Sequence, residues 1–180
     1  HILFLQMVID PACSIVFEAE PIEADAMASK PRRPDMHLFD REILLRGLLQ
    51  GAGLLAMLVG FYVLVRWAGH SDEVARTTTF LSLVLSNLGL IYVNRQWTQP
   101  SWRRGIKSNR AFAWISMAAS LLLLLVLGVA PVRELFAFAL PDMALLMQCA
   151  FVAVLGIAWF ECVKWALSTW RWPRGAAAAQ

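Results

Sequence analysis

Four uncharged stretches, Gly47 to Val65, Thr77 to Val93, Ala111 to Val132 and Met143 to Phe160, limit this chain more than any motif does. Each is close to the roughly 20 residues needed to cross the hydrocarbon core of a bilayer. In lipid every backbone N–H and C=O must be satisfied within the protein, so runs of this length specify helices. Hydrophobic residues make up 59% of the 180 residues, and the mean hydropathy is +0.58. Soluble domains carry about 45–50% apolar residues, and a water-soluble chain of this size could not hide the excess. The sequence therefore specifies an all-α integral membrane protein. Helices are expected over about residues 1–18, 41–66, 76–95, 110–130 and 142–168, five in all, joined by cytoplasmic loops at about 19–40 and 96–109.

Lys and Arg set the orientation, because short basic loops stay in the cytoplasm. Lys30, Arg32, Arg33, Arg41 and Arg46 lie around the first loop, and Arg95, Arg103, Arg104, Lys107 and Arg110 around the second. Lys164, Arg171 and Arg174 follow at the C-terminal end, leaving only Arg66, Arg76 and Arg133 for the other face. This asymmetry predicts an external His1 and a cytoplasmic C-terminus. Trp67, Trp97, Trp102, Trp165, Trp170 and Trp172 fall where indole rings favour the headgroup region. Gly47 and Gly51 form a GxxxG pair that either lets a neighbouring helix approach closely or arises by chance in a glycine-bearing span. The start at His1, with no basic leader and no cleavage site, reads as a piece of a longer protein. Cys13, Cys149 and Cys162 have no metal-ligand spacing and read as inert membrane thiols.

The stretch FLQMVIDPACSIVFEAEP places Asp10 inside the first span and Pro11 directly after it. An ionisable group at the centre of a membrane helix costs at least ~2.5 kcal/mol and normally faces a polar cavity or partner. Pro11 has no N–H for the Met7 carbonyl and its ring clashes there, so that carbonyl is freed or the helix kinks. A carboxylate and freed carbonyls are hard oxygen ligands suited to Ca²⁺ and similar cations. Gln6 lies one turn earlier and offers an amide oxygen on the same face. The other reading of Asp10 is a hydrogen bond to a neighbouring helix. Glu18 and Glu20, at the expected cytoplasmic end, are either further site groups or solvated acids.

The order FLQMVIDPACSIVFEAEP, KPRRP, LF, RGLLQG, ARTTTF, NLGLIYVNR and ECVK resembles the C-terminal membrane region of P-type cation-transporting ATPases, in the calcium-pump branch and its bacterial relatives. The similarity runs over nearly the whole chain. It implies that the five helices correspond to the sixth to tenth of such a pump, with Asp10 at a cation-binding aspartate position, Gln6 at a neighbouring polar ligand position and the Met7 carbonyl completing them. Ile9 stands where calcium pumps tend to have a hydroxyl, and the third helix lacks their acid. Its polar ligand candidates are Ser82, Ser86, Asn87 and Asn94, among which Asn87 is either a ligand or a bond between helices.

The resemblance implies an ATP-driven pump of a bacterial plasma membrane, with Ca²⁺ the leading cargo and ATP and Mg²⁺ used by upstream parts of the same polypeptide. The expected partners are those upstream helices and cytoplasmic domains, together with membrane lipid. No nucleic-acid partner is expected. The loop 19–40, with Pro21, Pro31 and Pro34, would dock beneath a phosphorylation domain or remain a solvated or lipid-facing basic loop. The chain shows no phosphate-binding loop and no DKTGT-like phosphorylation sequence, so it should not hydrolyse ATP alone. The rival readings are a non-enzymatic scaffold or assembly protein and a small channel or carrier. A carrier should show internal repeats or a second broken helix.

Overall fold

The computed structural model describes residues 13–19, 41–94 and 110–169. All regular structure among them is helical. A short helix, α1, covers 13–18. It is followed by α2 (Arg41–Trp67), α3 (Asp72–Asn94), α4 (Arg110–Gly128), α5 (Ala130–Leu135) and α6 (Met143–Thr169). Four of these helices, α2, α3, α4 and α6, are long and apolar enough to cross a membrane. The expected first span lies outside the described residues except for α1.

The architecture is a packed trio of α2, α3 and α6, with α4 beside α3. Helix α3 is the least apolar of the four long helices and the most enclosed, with 56% of its spanning window buried against 28% for each of the others. Its composition explains the placement. Thr77, Thr78, Ser82 and Ser86 are fully buried in it, so its polar residues face neighbouring helices, as small and hydroxyl residues of membrane helices commonly do. The outward faces of the other helices carry leucine, valine and phenylalanine, as at Leu48, Val59, Leu124 and Phe151, where hydrocarbon is an acceptable neighbour.

The glycines that allow close approach are not the expected pair. Among the described residues, nothing stands within 4 Å of a Cβ added at Gly47 or Gly51. The near contacts instead fall at Gly53, which receives the Trp159 indole, at Gly89, which receives Ile157, and at Gly156, which faces Ser86 and Leu54. One glycine on each helix of the trio therefore accepts a side chain from a neighbour. GxxxG spacing puts Gly47 and Gly51 on a common face of α2, but α3 and α6 cover a different one.

Tight chemistry joins the helices at one end of the bundle. Helix α2 closes with the Gly69 N–H on the Arg66 carbonyl (3.1 Å) and the His70 N–H on the Val65 carbonyl (3.4 Å). This is a Schellman cap, and Gly69 occupies its left-handed position at φ +88°. Arg66 Nη1 donates to the His70 carbonyl at 2.7 Å. Tyr62 donates its hydroxyl proton to Asp72, which also pairs with Arg76 at 3.0 Å. After α4 the chain breaks at extended Val129, with Pro131 in the first turn of α5, and Arg133 Nη1 donates to the Leu127 carbonyl at 3.0 Å. That bond serves one of the carbonyls a helix end leaves open.

A second Schellman cap closes α5, through Ala137 N–H to the Glu134 carbonyl (2.9 Å) and Phe138 N–H to the Arg133 carbonyl (3.0 Å). Here Ala137 takes the left-handed position, at φ +49°. The segment that follows tucks in under Phe138, whose ring lies 5.1 Å from that of Phe80 on α3. Ala139 N–H donates to Thr77 Oγ1 at 3.2 Å, and Asp142 Oδ1 caps α6 by accepting from the Leu145 N–H at 2.8 Å.

Candidate functional site

Helix α3 carries the polar residues singled out in the sequence, and its hydroxyls behave differently along its length. Thr77 donates to the Glu73 carbonyl (2.7 Å), Thr78 to the Val74 and Ala75 carbonyls (3.0 Å each), Thr79 to the Ala75 carbonyl (2.8 Å) and Ser82 to the Thr78 carbonyl (2.9 Å). The Thr78 carbonyl also accepts from Cys149 Sγ of α6 at 3.4 Å. These back-bonds make the first half of α3 self-sufficient in polar partners. Cys149 is a buried free thiol within this seam.

Ser86 breaks the series. Its hydroxyl is fully buried and, among the described residues, has no hydrogen-bond partner. It points at α6 beside Gly156, where a Cβ added to the glycine would stand 3.3 Å from Ser86 Oγ. Asn87 follows directly and is half-buried, as is Asn94 seven residues on. The polar content of α3 is thus divided into a satisfied half near Asp72 and a half around Ser86 and Asn87 that includes an orphaned hydroxyl.

Two side chains of α6 bond to backbone carbonyls of its neighbours, one on α3 and one on α2. Lys164 Nζ donates to the Val93 carbonyl at 3.2 Å, placing a cation at the negative end of the α3 dipole. Trp159 Nε1 donates to the Leu49 carbonyl of α2 at 3.2 Å. Both bonds bring residues distant in sequence together, and no local pattern announces them. Trp67 and Trp165, read as edge markers, are exposed near the ends of α2 and α6.

Helix α1 approaches the same end of α3 from the other side. Val16 is fully buried against Ile91 of α3 and Phe112 of α4, with Cys13, Tyr92 and Ile115 packed around them. The Tyr92 and Phe112 rings lie 5.6 Å apart. Of the expected ligand residues, Asn87 is therefore on the central helix, and Gln6, Met7 and Asp10 lie outside the described residues. Among the described residues, no group of three or more His, Cys, Asp or Glu side chains could hold a metal ion.

The family model described as "Cation transporting ATPase, C-terminus" matches residues 1–166 of the chain. No curated protein matches it.

Proposed function

Because the chain belongs to the family formed by the C-terminal region of cation-transporting ATPases, we propose that it supplies part of the intramembrane cation site of a P-type pump. The match over residues 1–166 carries this reading. Asp10 is the charged ligand, Gln6 and the Met7 carbonyl stand beside it, and Asn87 of α3 faces it. The cargo is a hard cation, with Ca²⁺ the leading candidate, because the donors are carboxylate, amide and carbonyl oxygens. The pump belongs to the calcium-pump branch and its bacterial relatives, in a plasma membrane with the C-terminus in the cytoplasm. ATP and Mg²⁺ act on upstream domains of the same polypeptide, and this part alone does not turn ATP over.

The packing of α1 supports the pairing of Asp10 with Asn87. Val16 of α1 is buried against Ile91 of α3, so α1 docks on the helix that carries Asn87, and Asp10 precedes α1 by three residues in the sequence. A scaffold or carrier role gains nothing comparable from the family match.

The test is a disulfide cross-link in the full-length pump, with Asp10→Cys and Asn87→Cys introduced where Cys13, Cys149 and Cys162 have been replaced. Rapid oxidative cross-linking, slowed by the transported cation, is expected. A pair that does not cross-link, while Val16→Cys with Ile91→Cys does, would remove Asn87 from the site.

A further inference from the structure

The connection between α4 and α6 lies at the edge of the apolar layer and not above it. The ends of the uncharged stretches give its level. The stretch that holds α4 runs out at Val132, that of α6 begins at Met143, and that of α3 begins at Thr77. Ala139 N–H donates to this same Thr77, through Oγ1 at 3.2 Å, and the Phe138 ring lies 5.1 Å from that of Phe80 on the next turn of α3. Arg133 Nη1 reaches back to the Leu127 carbonyl at 3.0 Å, inside the α4 span.

Side chains and backbone here both suit surroundings with little water. Leu135 is 82% exposed, Leu140 63% and Met143 73%, although Leu140 directly follows the residue bonded to Thr77. Non-helical backbone at such a level has to find its partners within the protein. The N–H groups of Phe136, Ala137 and Phe138 go to the Val132, Glu134 and Arg133 carbonyls, and that of Ala139 goes to Thr77. Pro141 is buried and has no N–H to place.

We propose that residues 129–142 form an interfacial anchor, with Leu135 and Leu140 entering the leaflet at the Asp72 end of α3 and lipid acyl chains as their partner. The neighbouring charges favour lipid over a protein surface. Glu134 and Asp142 are exposed within two residues of these leucines, and a tightly packed protein would have to bury both carboxylates, which is costly unless each is paired. At the headgroup boundary the carboxylates stay in water while the apolar side chains sit about 5–10 Å into the acyl boundary. The anchor sets the height of α3, because Phe138 and Ala139 hold Phe80 and Thr77. This role is independent of which cation is carried.

The experiment attaches a nitroxide at Leu135→Cys or at Leu140→Cys in the full-length protein with its native cysteines replaced, reconstituted in phosphatidylcholine vesicles. Elution matching the wild type in size-exclusion chromatography establishes that each variant is folded. Power saturation in electron paramagnetic resonance then compares collisions with oxygen, which concentrates in hydrocarbon, and with a water-soluble nickel chelate. Ser71→Cys in the exposed α2–α3 turn is the aqueous reference, and Leu121→Cys, exposed midway along α4, is the hydrocarbon reference. The oxygen-to-nickel ratio at both leucine positions is expected well above that at Ser71 and no higher than that at Leu121. A ratio at either position matching Ser71 would mean water, and shielding from both reagents would mean cover by another protein segment or a second copy. Either result would overturn the proposal.

Discussion

Gly53→Ala is expected to destabilise the bundle although it adds one methyl group. The new Cβ would overlap Nε1 and Cε2 of the Trp159 indole and come within 2.9 Å of Cδ1. The contacts are with a rigid ring, so the whole side chain must move. Overpacking of this kind costs about 1–3 kcal/mol. The displaced indole also gives up its 3.2 Å bond to the Leu49 carbonyl, and polar contacts between membrane helices average about 0.6 kcal/mol. Alanine recovers up to about 1 kcal/mol through its higher helix propensity. Taking the middle of the packing range gives a net loss of about 1.5 kcal/mol. Gly60 is the control, because nothing lies within 4 Å of its added Cβ, and Gly60→Ala should be neutral or stabilising. Unfolding by steric trapping in bicelles measures both variants, and repeating Gly53→Ala in a Trp159→Ala background closes a double-mutant cycle. The coupling should be about 2.5 kcal/mol, the packing cost and the lost bond together. Equal stabilities for the Gly53 and Gly60 variants, or a coupling near zero, would refute the packing argument.

Ser86→Ala should leave stability unchanged or raise it by about 1 kcal/mol in the same unfolding assay, because it removes a buried hydroxyl that has no partner; a clear loss would mean that Ser86 holds a bond between helices. Ala137→Gly should stabilise the chain by up to about 1 kcal/mol, since φ is +49° there and the left-handed region penalises a Cβ; thermal unfolding that places the variant below wild type would count against the cap. The Lys/Arg asymmetry predicts that, in intact cells lacking the native cysteines, an impermeant thiol reagent labels Ser71→Cys and spares Ser101→Cys. The opposite pattern would invert the topology.

The helical class and the membrane-length helices were legible because the solvent imposes them. A run as apolar as 111–132 has few other folds open to it. The partners of those helices were not legible. Gly47 and Gly51 had the spacing associated with close packing, yet Gly53, Gly89 and Gly156 make the contacts, because spacing identifies a shared face and not what covers it. Lys164 was readable as one of the basic residues that set the orientation, but its bond to the Val93 carbonyl joins residues 71 positions apart, a relation fixed only when α3 and α6 pack in parallel. Ser82 and Ser86 have the same chemistry one turn apart, and the contact with Gly156 accompanies the one that is left without a partner. Of the candidate ligands, Asn87 was readable by type and lies in the described structure, while Asp10, Gln6 and Met7 remain arguments from sequence and family.

The central claim is that Asp10 binds the transported cation, and its most direct test is cation-stimulated ATPase activity of the full-length pump, measured against cation concentration for Asp10→Asn. The substitution keeps the side-chain size and removes the charge on which a hard cation depends. The account predicts at least a tenfold rise in the half-saturating concentration, with a loss of ~1.4 kcal/mol or more in binding, and a smaller effect for Gln6→Ala. A correctly folded Asp10→Asn pump with unchanged half-saturation and turnover would contradict the account.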